Sequence, residues 1–288
     1  MRERLFKAGT LMAFAFLAGL VCPASAAPIA VVTDVQGRSV LQGAGATRPV
    51  AMLTEIESDA QVQLDDKARL VVLYFATGEE FALRGAALIQ FKAAAPEALS
   101  GNPPEKRAGG NKGDPGLRIK PGGVTQAAVR MRTAVEGPKL KLLRLSDTVT
   151  LETQPKFRWT KLEPDLEYRF ELSDDTGRIL YEAKATGRSL KLPANVQLKP
   201  NTLYTWELST RLRNGTKYNS AGDFTLATPE LREQVERMRP TEQATVSELV
   251  ALALWLEQVD LKDEARKYWG KARAQRPDDS RLKALSGN

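Results

Sequence analysis

The sequence predicts a mainly β protein: two small β units, a Gly/Pro-rich connector between them and a helical segment at the end. Three observations carry this. Apolar residues alternate with period two, between turn signals, over residues 28–94 and again over 137–228. The stretch from 95 to 123 is dense in Gly and Pro and has no run of large apolar residues. After Pro229 the apolar period changes from two to about 3.6.

The first element is a leader. Arg2, Arg4 and Lys7 form a basic start, residues 11–21 (LMAFAFLAGLV) are apolar, and Ala24-Ser25-Ala26 offers small residues at both cleavage positions. The pattern predicts a secretory signal peptide over residues 1–26, cut after Ala26, and an exported mature chain. An uncleaved span is the competing reading. The apolar run is short of the roughly 20 residues a membrane helix needs, and Pro23 and Pro28 interrupt its continuation. No stable transmembrane anchor is therefore expected. Acylation of Cys22 is disfavoured because Val21, not a small residue, precedes it.

Cys22 is the chain's only cysteine, and there is no histidine. A mature chain starting after Ala26 has no disulfide, no thiol nucleophile, no imidazole base and no His/Cys metal site. The sequence therefore predicts no catalytic residue, no cofactor and no metal. The leader's three basic residues and one acidic residue remove two from the formal charge of +7. Five charges remain for the mature chain. Eight basic and three acidic residues between Lys92 and Arg132 account for that excess, so it belongs to the connector. The segment has no aromatic residue to stack on bases, which argues against nucleic acid. Peptidoglycan or another anionic envelope polymer is a candidate partner. A solvated, charge-extended linker is the simpler reading of the same charges.

The first unit, residues 28–94, reads as short strands making a small β-sandwich or β-roll. Within it "RLVVLYFA" (69–76) is apolar at both parities, so that strand should be buried on both faces. Residues 58–91 (SDAQVQLDDKARLVVLYFATGEEFALRGAALIQF) resemble the FecR domain, with Ala68, Leu70, Gly78, Phe81 and Leu83 in the family's turn and strand places. Thr77-Gly78 stands where the family usually has Asp-Gly, and "RPVAMLTEIES" replaces two Gly-led turns. The resemblance implies a periplasmic module linked to signalling to sigma factors. The best-known members also carry a cytoplasmic segment and a transmembrane helix, neither of which is read here.

The connector, residues 95–136, cannot bury enough surface to offset its ordering entropy and is expected to be a flexible basic tether. The second unit follows over residues 137–228. Phe157 and Trp159 share one parity, as do Tyr168, Phe170 and Leu172, and Asp174-Asp175-Thr176-Gly177 forms a hairpin turn. Leu198-x-Pro200-x-Thr202-x-Tyr204-x-Trp206 resembles the turn and strand of fibronectin type III domains, where a tyrosine corner ties loop to sheet. Trp159 fits that family's buried tryptophan. The resemblance implies a β-sandwich in which Trp159, Tyr204 and Trp206 are structural. A sugar-stacking platform built from Trp159 and Trp206 is the weaker alternative, because both lie at in-facing parity.

Three helices are expected within residues 229–288. Thr228 caps the first and Pro240 ends it. "VSELVALALWLEQ" (246–258) is apolar on nearly every side, and "LKDEARKYWGKARAQ" (261–275) stops at Pro277. Ala265, Trp269, Ala272 and Pro277, at spacings of four, three and five, resemble the second half of a tetratricopeptide repeat. Counting back places Leu249, Leu252, Ala253 and Leu256 at first-helix positions of a unit spanning 246–279. That resemblance implies a protein-interaction module, with Leu249, Leu252, Leu256 and Trp269 as candidate partner-binding residues. One repeat cannot bury its own face. The segment should therefore cap the fibronectin-like unit, or else stack on another protein or a second copy.

The remaining polar motifs are structural in this reading. Asp65-Asp66, Glu79-Glu80, Asp174-Asp175 and Asp278-Asp279 sit at turns or a helix start, and neighbours on a strand point to opposite faces. "GAGATR" from Gly43 lacks a phosphate loop's third glycine and following helix. The sequence thus predicts a non-enzymatic, exported envelope protein that acts as a regulatory or adaptor module by binding a protein partner. The alternative is a cell-wall or polysaccharide-binding protein.

Overall fold

The computed structural model describes residues 27–43, 46–107, 119–121 and 140–286. The leader expected at residues 1–26 lies outside them, as does the connector beyond residue 107 except for residues 119–121.

The first unit has strands β1 (Pro28–Gln36), β2 (Ser39–Gly43), β3 (Ala46–Pro49), β4 (Glu55–Glu57), β5 (Gln61–Leu64), β6 (Arg69–Tyr74), β7 (Glu80–Arg84), β8 (Ala87–Phe91), β9 (Pro96–Gly101) and β10 (Glu105–Arg107). They form two antiparallel sheets, ordered β10-β7-β6-β1-β4 and β3-β2-β5-β8-β9. Alternation sends Leu70, Val72 and Tyr74 of β6, Phe81 and Leu83 of β7 and Phe91 of β8 into the space between the sheets. There Tyr74 meets Phe81 edge-on at 5.4 Å.

The expected boundary at residue 94 is too early, and residues 95–107 are not tether. β9 pairs with β8, and β10 pairs with β7. Both are edge strands, and their side chains are almost all exposed. An edge strand is held by backbone hydrogen bonds and needs no apolar side chain, so a composition argument cannot see it. Gly101 ends β9 at φ +82°, where a Cβ would lie 2.0 Å from the Ala86 carbonyl oxygen.

The second unit has strands β11 (Leu142–Arg144), β12 (Thr148–Thr150), β13 (Lys156–Trp159), β14 (Tyr168–Asp174), β15 (Ile179–Ala185), β16 (Ser189–Lys191), β17 (Leu203–Arg211) and β18 (Lys217–Leu226). A three-stranded sheet, β11-β13-β16, faces a five-stranded one, β12-β18-β17-β14-β15. Only β12 runs parallel to its neighbour, β18. This is a fibronectin type III-like sandwich. Phe157 sits at its centre, with Phe170, Trp206 and Phe224 at 4.8, 5.0 and 5.7 Å. Trp159 and Trp206 are fully buried, and the Trp206 indole N–H donates to the Leu145 carbonyl at 2.5 Å. The Tyr204 hydroxyl accepts from the Lys199 backbone N–H at 2.7 Å, which fastens the turn before β17 to the sheet.

Four helices follow: α1 (Pro229–Arg237), α2 (Val246–Gln258), α3 (Lys262–Gln275) and a short α4 (Ser280–Leu285). Thr228 caps α1 with Pro229 in its first turn, and Thr245 and Glu248 make a capping box at α2. α2 and α3 form a hairpin through Asp260, which takes φ +58°. From Val246 to Leu256, every α2 residue except Glu248 is buried.

The helices share a hydrophobic core with the first sandwich rather than forming one of their own. It includes Val31, Met52, Leu53, Leu73 and Phe75, and Val149 and Leu151 of the second sandwich pack against its edge. β6 is thus buried on both faces, as its composition predicts: Leu70, Val72 and Tyr74 face the other sheet, and Leu73 joins the helical cluster. Cap placement on the fibronectin-like unit alone is too narrow a reading, because the helices pack on both sandwiches. At residues 119–120 the connector is also pinned. Ile119 is buried in the same cluster, and Lys120 exchanges two 3.0 Å hydrogen bonds with the Gln258 side chain.

Candidate functional site

The candidate partner-binding residues are not on a surface. Leu249 is 3% exposed, and Leu252, Leu256 and Trp269 are fully buried. The first sandwich and the neighbouring helices fill the faces that a stacked repeat would need. These four residues therefore build this chain's own core and are not available to a partner in this structure. The helical segment instead acts as a clasp between the two sandwiches, with a polar contact on each side.

On the first side, Ser247 of α2 meets the outward face of the β10-β7-β6-β1-β4 sheet. Its hydroxyl donates to Glu80 Oε1 at 2.5 Å and shares a 2.9 Å hydrogen bond with the Thr33 hydroxyl. All three residues are buried. Burial raises the Glu80 carboxyl pKa above its ordinary value; the Ser247 hydrogen bond and the Arg107 charge oppose the rise, and Glu248 adds to it. Arg276, beyond α3, pairs with Asp34 of β1 at 2.9 Å, and the Arg281 guanidinium donates to the Met52 carbonyl.

On the second side, the α2–α3 turn extends the edge of the fibronectin-like sheet. The Asp260 carbonyl accepts from the Val149 N–H at 2.7 Å and from the Thr148 hydroxyl at 2.8 Å. Thr148 Oγ1 in turn accepts from the Lys262 N–H at 3.2 Å. Asp263, 7% exposed at its side chain, lies between Arg144 at 3.1 Å and Arg266 at 2.7 Å. Arg144 also binds Glu152. Burial works against the Arg144 charge, yet Glu152 and Asp263 together raise its pKa.

Beside the Glu80 contact, a cleft of about 380 Å³ opens between the sandwich and the clasp. Val71 and Ala82 are among its sheet-side residues, and Arg69, Arg84 and Arg107 line it from three adjacent strands. The wall opposite comes from the α1–α2 loop (Glu242 to Ala244), Thr245 and Val246 at the start of α2, and Gln275 and Arg276.

The paired carboxylates are dispersed. Asp174 accepts from the Thr176 hydroxyl, the Thr176 N–H and the Arg178 N–H in its turn; the Thr176 hydroxyl bond, with the two backbone bonds, holds its carboxyl below its ordinary value against the opposing effect of burial. Asp279 caps α4, and Glu79 pairs with Lys106 at 2.6 Å. Among the described residues, no group of three or more His, Cys, Asp or Glu side chains could hold a metal ion. Sequence reasoning missed Glu80, which it placed with Glu79 in a turn. The available signal was parity, which puts Glu80 with Ala82 and Arg84 on the face opposite Phe81 and Leu83. No helix among the described residues is long and apolar enough to cross a membrane.

No family model matches the sequence, and a search of curated proteins finds no match. Among solved structures, the chain is similar to CopC of Methylosinus trichosporium OB3b, at 18% identity, covering 31% of this chain and 93% of that one, with a TM-score of 0.24. It is similar to the fn3 domain of the human collagen alpha-1(XX) chain, at 18% identity, covering 34% and 87%, with a TM-score of 0.25. A β-glucuronidase of Parabacteroides merdae overlaps 71% of this chain and 27% of its own length, at 10% identity and a TM-score of 0.24.

Proposed function

We propose that this chain is an exported, non-catalytic envelope protein of the FecR-like regulatory or adaptor kind, working in the periplasm by binding a protein partner. The first sandwich is the FecR-like module, and the fibronectin-like sandwich is a second recognition domain. α2 and α3 are a lone tetratricopeptide-like hairpin turned inward as a clasp.

One observation carries the adaptor reading. Among the described residues, the exposed large apolar side chains, Leu99, Leu143, Ile179 and Leu203, all lie on strands of the two sandwiches and none on the clasp. Leu99 and Ile179 belong to the edge strands β9 and β15. Edge strands offer unpaired backbone groups to an incoming chain. A second reading, binding of cell-wall polysaccharide, is favoured by a shallow depression of about 530 Å³ on the second sandwich, where Arg211, Lys217, Asn219 and Tyr218 offer charge, amide and one aromatic face.

The test is photo-crosslinking in intact cells from Leu99, Ile179 or Trp269 of the full-length protein. Capture of one defined envelope protein from Leu99 or Ile179, and none from buried Trp269, supports the adaptor. Recovery of wall glycan at those positions supports the second reading. Equal capture from Trp269 overturns the inward clasp.

A further inference from the structure

The outward face of the β10-β7-β6-β1-β4 sheet is divided. Its apolar part, with Val31 and Leu73, lies in the helical cluster. Alternation puts Arg69 with Val71 and Leu73, and Arg84 with Ala82 and Glu80, on this same face. Cross-strand register then sets Gln36, Arg69 and Arg84 side by side in one row, and Arg107 opposite Glu80. Directly opposed like charges in an antiparallel pair are destabilising unless something answers them. Glu105 answers Arg84 at 3.0 Å, and Asp34 answers Arg276 on the far wall. Among the described residues, neither Arg69 nor Arg107 makes an ion pair. The cleft's lining holds four arginines and two acidic residues, Asp34 and Glu242; just beyond the lining Glu105 pairs with Arg84 and Glu80 stands opposite Arg107.

We propose that this cleft is a binding site for an oxyanion-bearing ligand of about sugar size, held by the guanidinium groups of Arg69 and Arg107. A guanidinium presents a planar fork of N–H donors that matches the paired oxygens of a carboxylate or phosphate. The volume of about 380 Å³ is at the small end of ligand pockets, which suits one anionic unit rather than a folded partner. Sheet and clasp form its two walls, so an occupied site stabilises their union by mass action. The site is independent of the adaptor reading.

The test is calorimetric titration of the mature full chain, at fixed ionic strength, with inorganic phosphate, glucuronate and neutral glucose. Saturable binding of phosphate or of glucuronate, with none of glucose, is the expected result, and the stronger of the two names the source of the oxyanion. The double variant Arg69→Gln/Arg107→Gln should weaken binding by about tenfold or more. Arg213→Gln, at an exposed position on the other sandwich, should leave it unchanged. Ala82→Leu fills the cleft without altering charge and should also abolish binding. Absence of saturable binding for both anions overturns the site. So does equal weakening by Arg213→Gln, or full binding retained in Ala82→Leu, since either outcome describes diffuse attraction to a basic surface.

Discussion

Ser247 on α2 donates a 2.5 Å hydrogen bond to Glu80 on β7 across 167 positions of sequence, and both side chains are buried where the clasp meets the first sandwich. A carboxylate here loses solvation that one hydroxyl and the Arg107 charge do not fully replace.

The first prediction concerns pH. Folding raises the Glu80 pKa above its unfolded value of about 4.3. Its contribution to stability is therefore fully present below that unfolded value and is lost as pH rises through the folded one. Glu80→Gln keeps an acceptor for Ser247 and carries no charge. It should make the chain more stable than wild type at pH 7 and remove this part of the pH dependence. Urea midpoints measured between pH 4 and pH 8 check this; an unchanged slope in the variant sinks it.

The clasp should be integral to stability. Leu254 is 1% exposed within the cluster that joins α2 to the first sandwich. Leu254→Ala should cost about 2–5 kcal/mol, the range for a buried leucine whose cavity collapses only in part. Chemical denaturation gives the number, and a loss under 1 kcal/mol would show that α2 is not packed as described.

On the second side, Asp263 should behave as a buried ion-pair member. Asp263→Ala leaves Arg144 with Glu152 alone and Arg266 without its 2.7 Å partner. Removing one partner of a buried pair costs about 3–5 kcal/mol, and the Glu152 contact should hold this case near the lower end. A double-mutant cycle with Arg144→Met should be non-additive. Strict additivity would mean that the two side chains do not act together.

The tyrosine corner should act locally. Tyr204→Phe removes the acceptor for the Lys199 N–H and nothing else of size. A loss of about 1 kcal/mol is expected. Hydrogen exchange should quicken at the Lys199 amide while the Ser247 contact region keeps its protection; quickening in both regions would contradict a local role.

Much of the architecture was legible locally. Period-two alternation in "LEYRFELS" is the strand that puts Tyr168, Phe170 and Leu172 in one core. The Leu198-to-Trp206 pattern is a tyrosine corner, and Thr228 is a helix cap. Such features depend on neighbours a few residues apart. "RLVVLYFA" and "LVALALWL" each declared burial on more than one side, because parity or helical phase counts apolar faces. Their sequences could not name the partner. Only the tertiary structure brings them into one core, and that meeting takes Leu249, Leu252, Leu256 and Trp269 away from any partner. β9 and β10 left no trace in composition, since backbone pairing at a sheet edge asks nothing of side chains. Arg69, Arg84 and Arg107 read as scattered charges until antiparallel register set them along one cleft. Alternation is a property of consecutive residues and is written in the chain itself. Which faces meet is settled by burial and pairing between distant segments, and no local pattern encodes that choice.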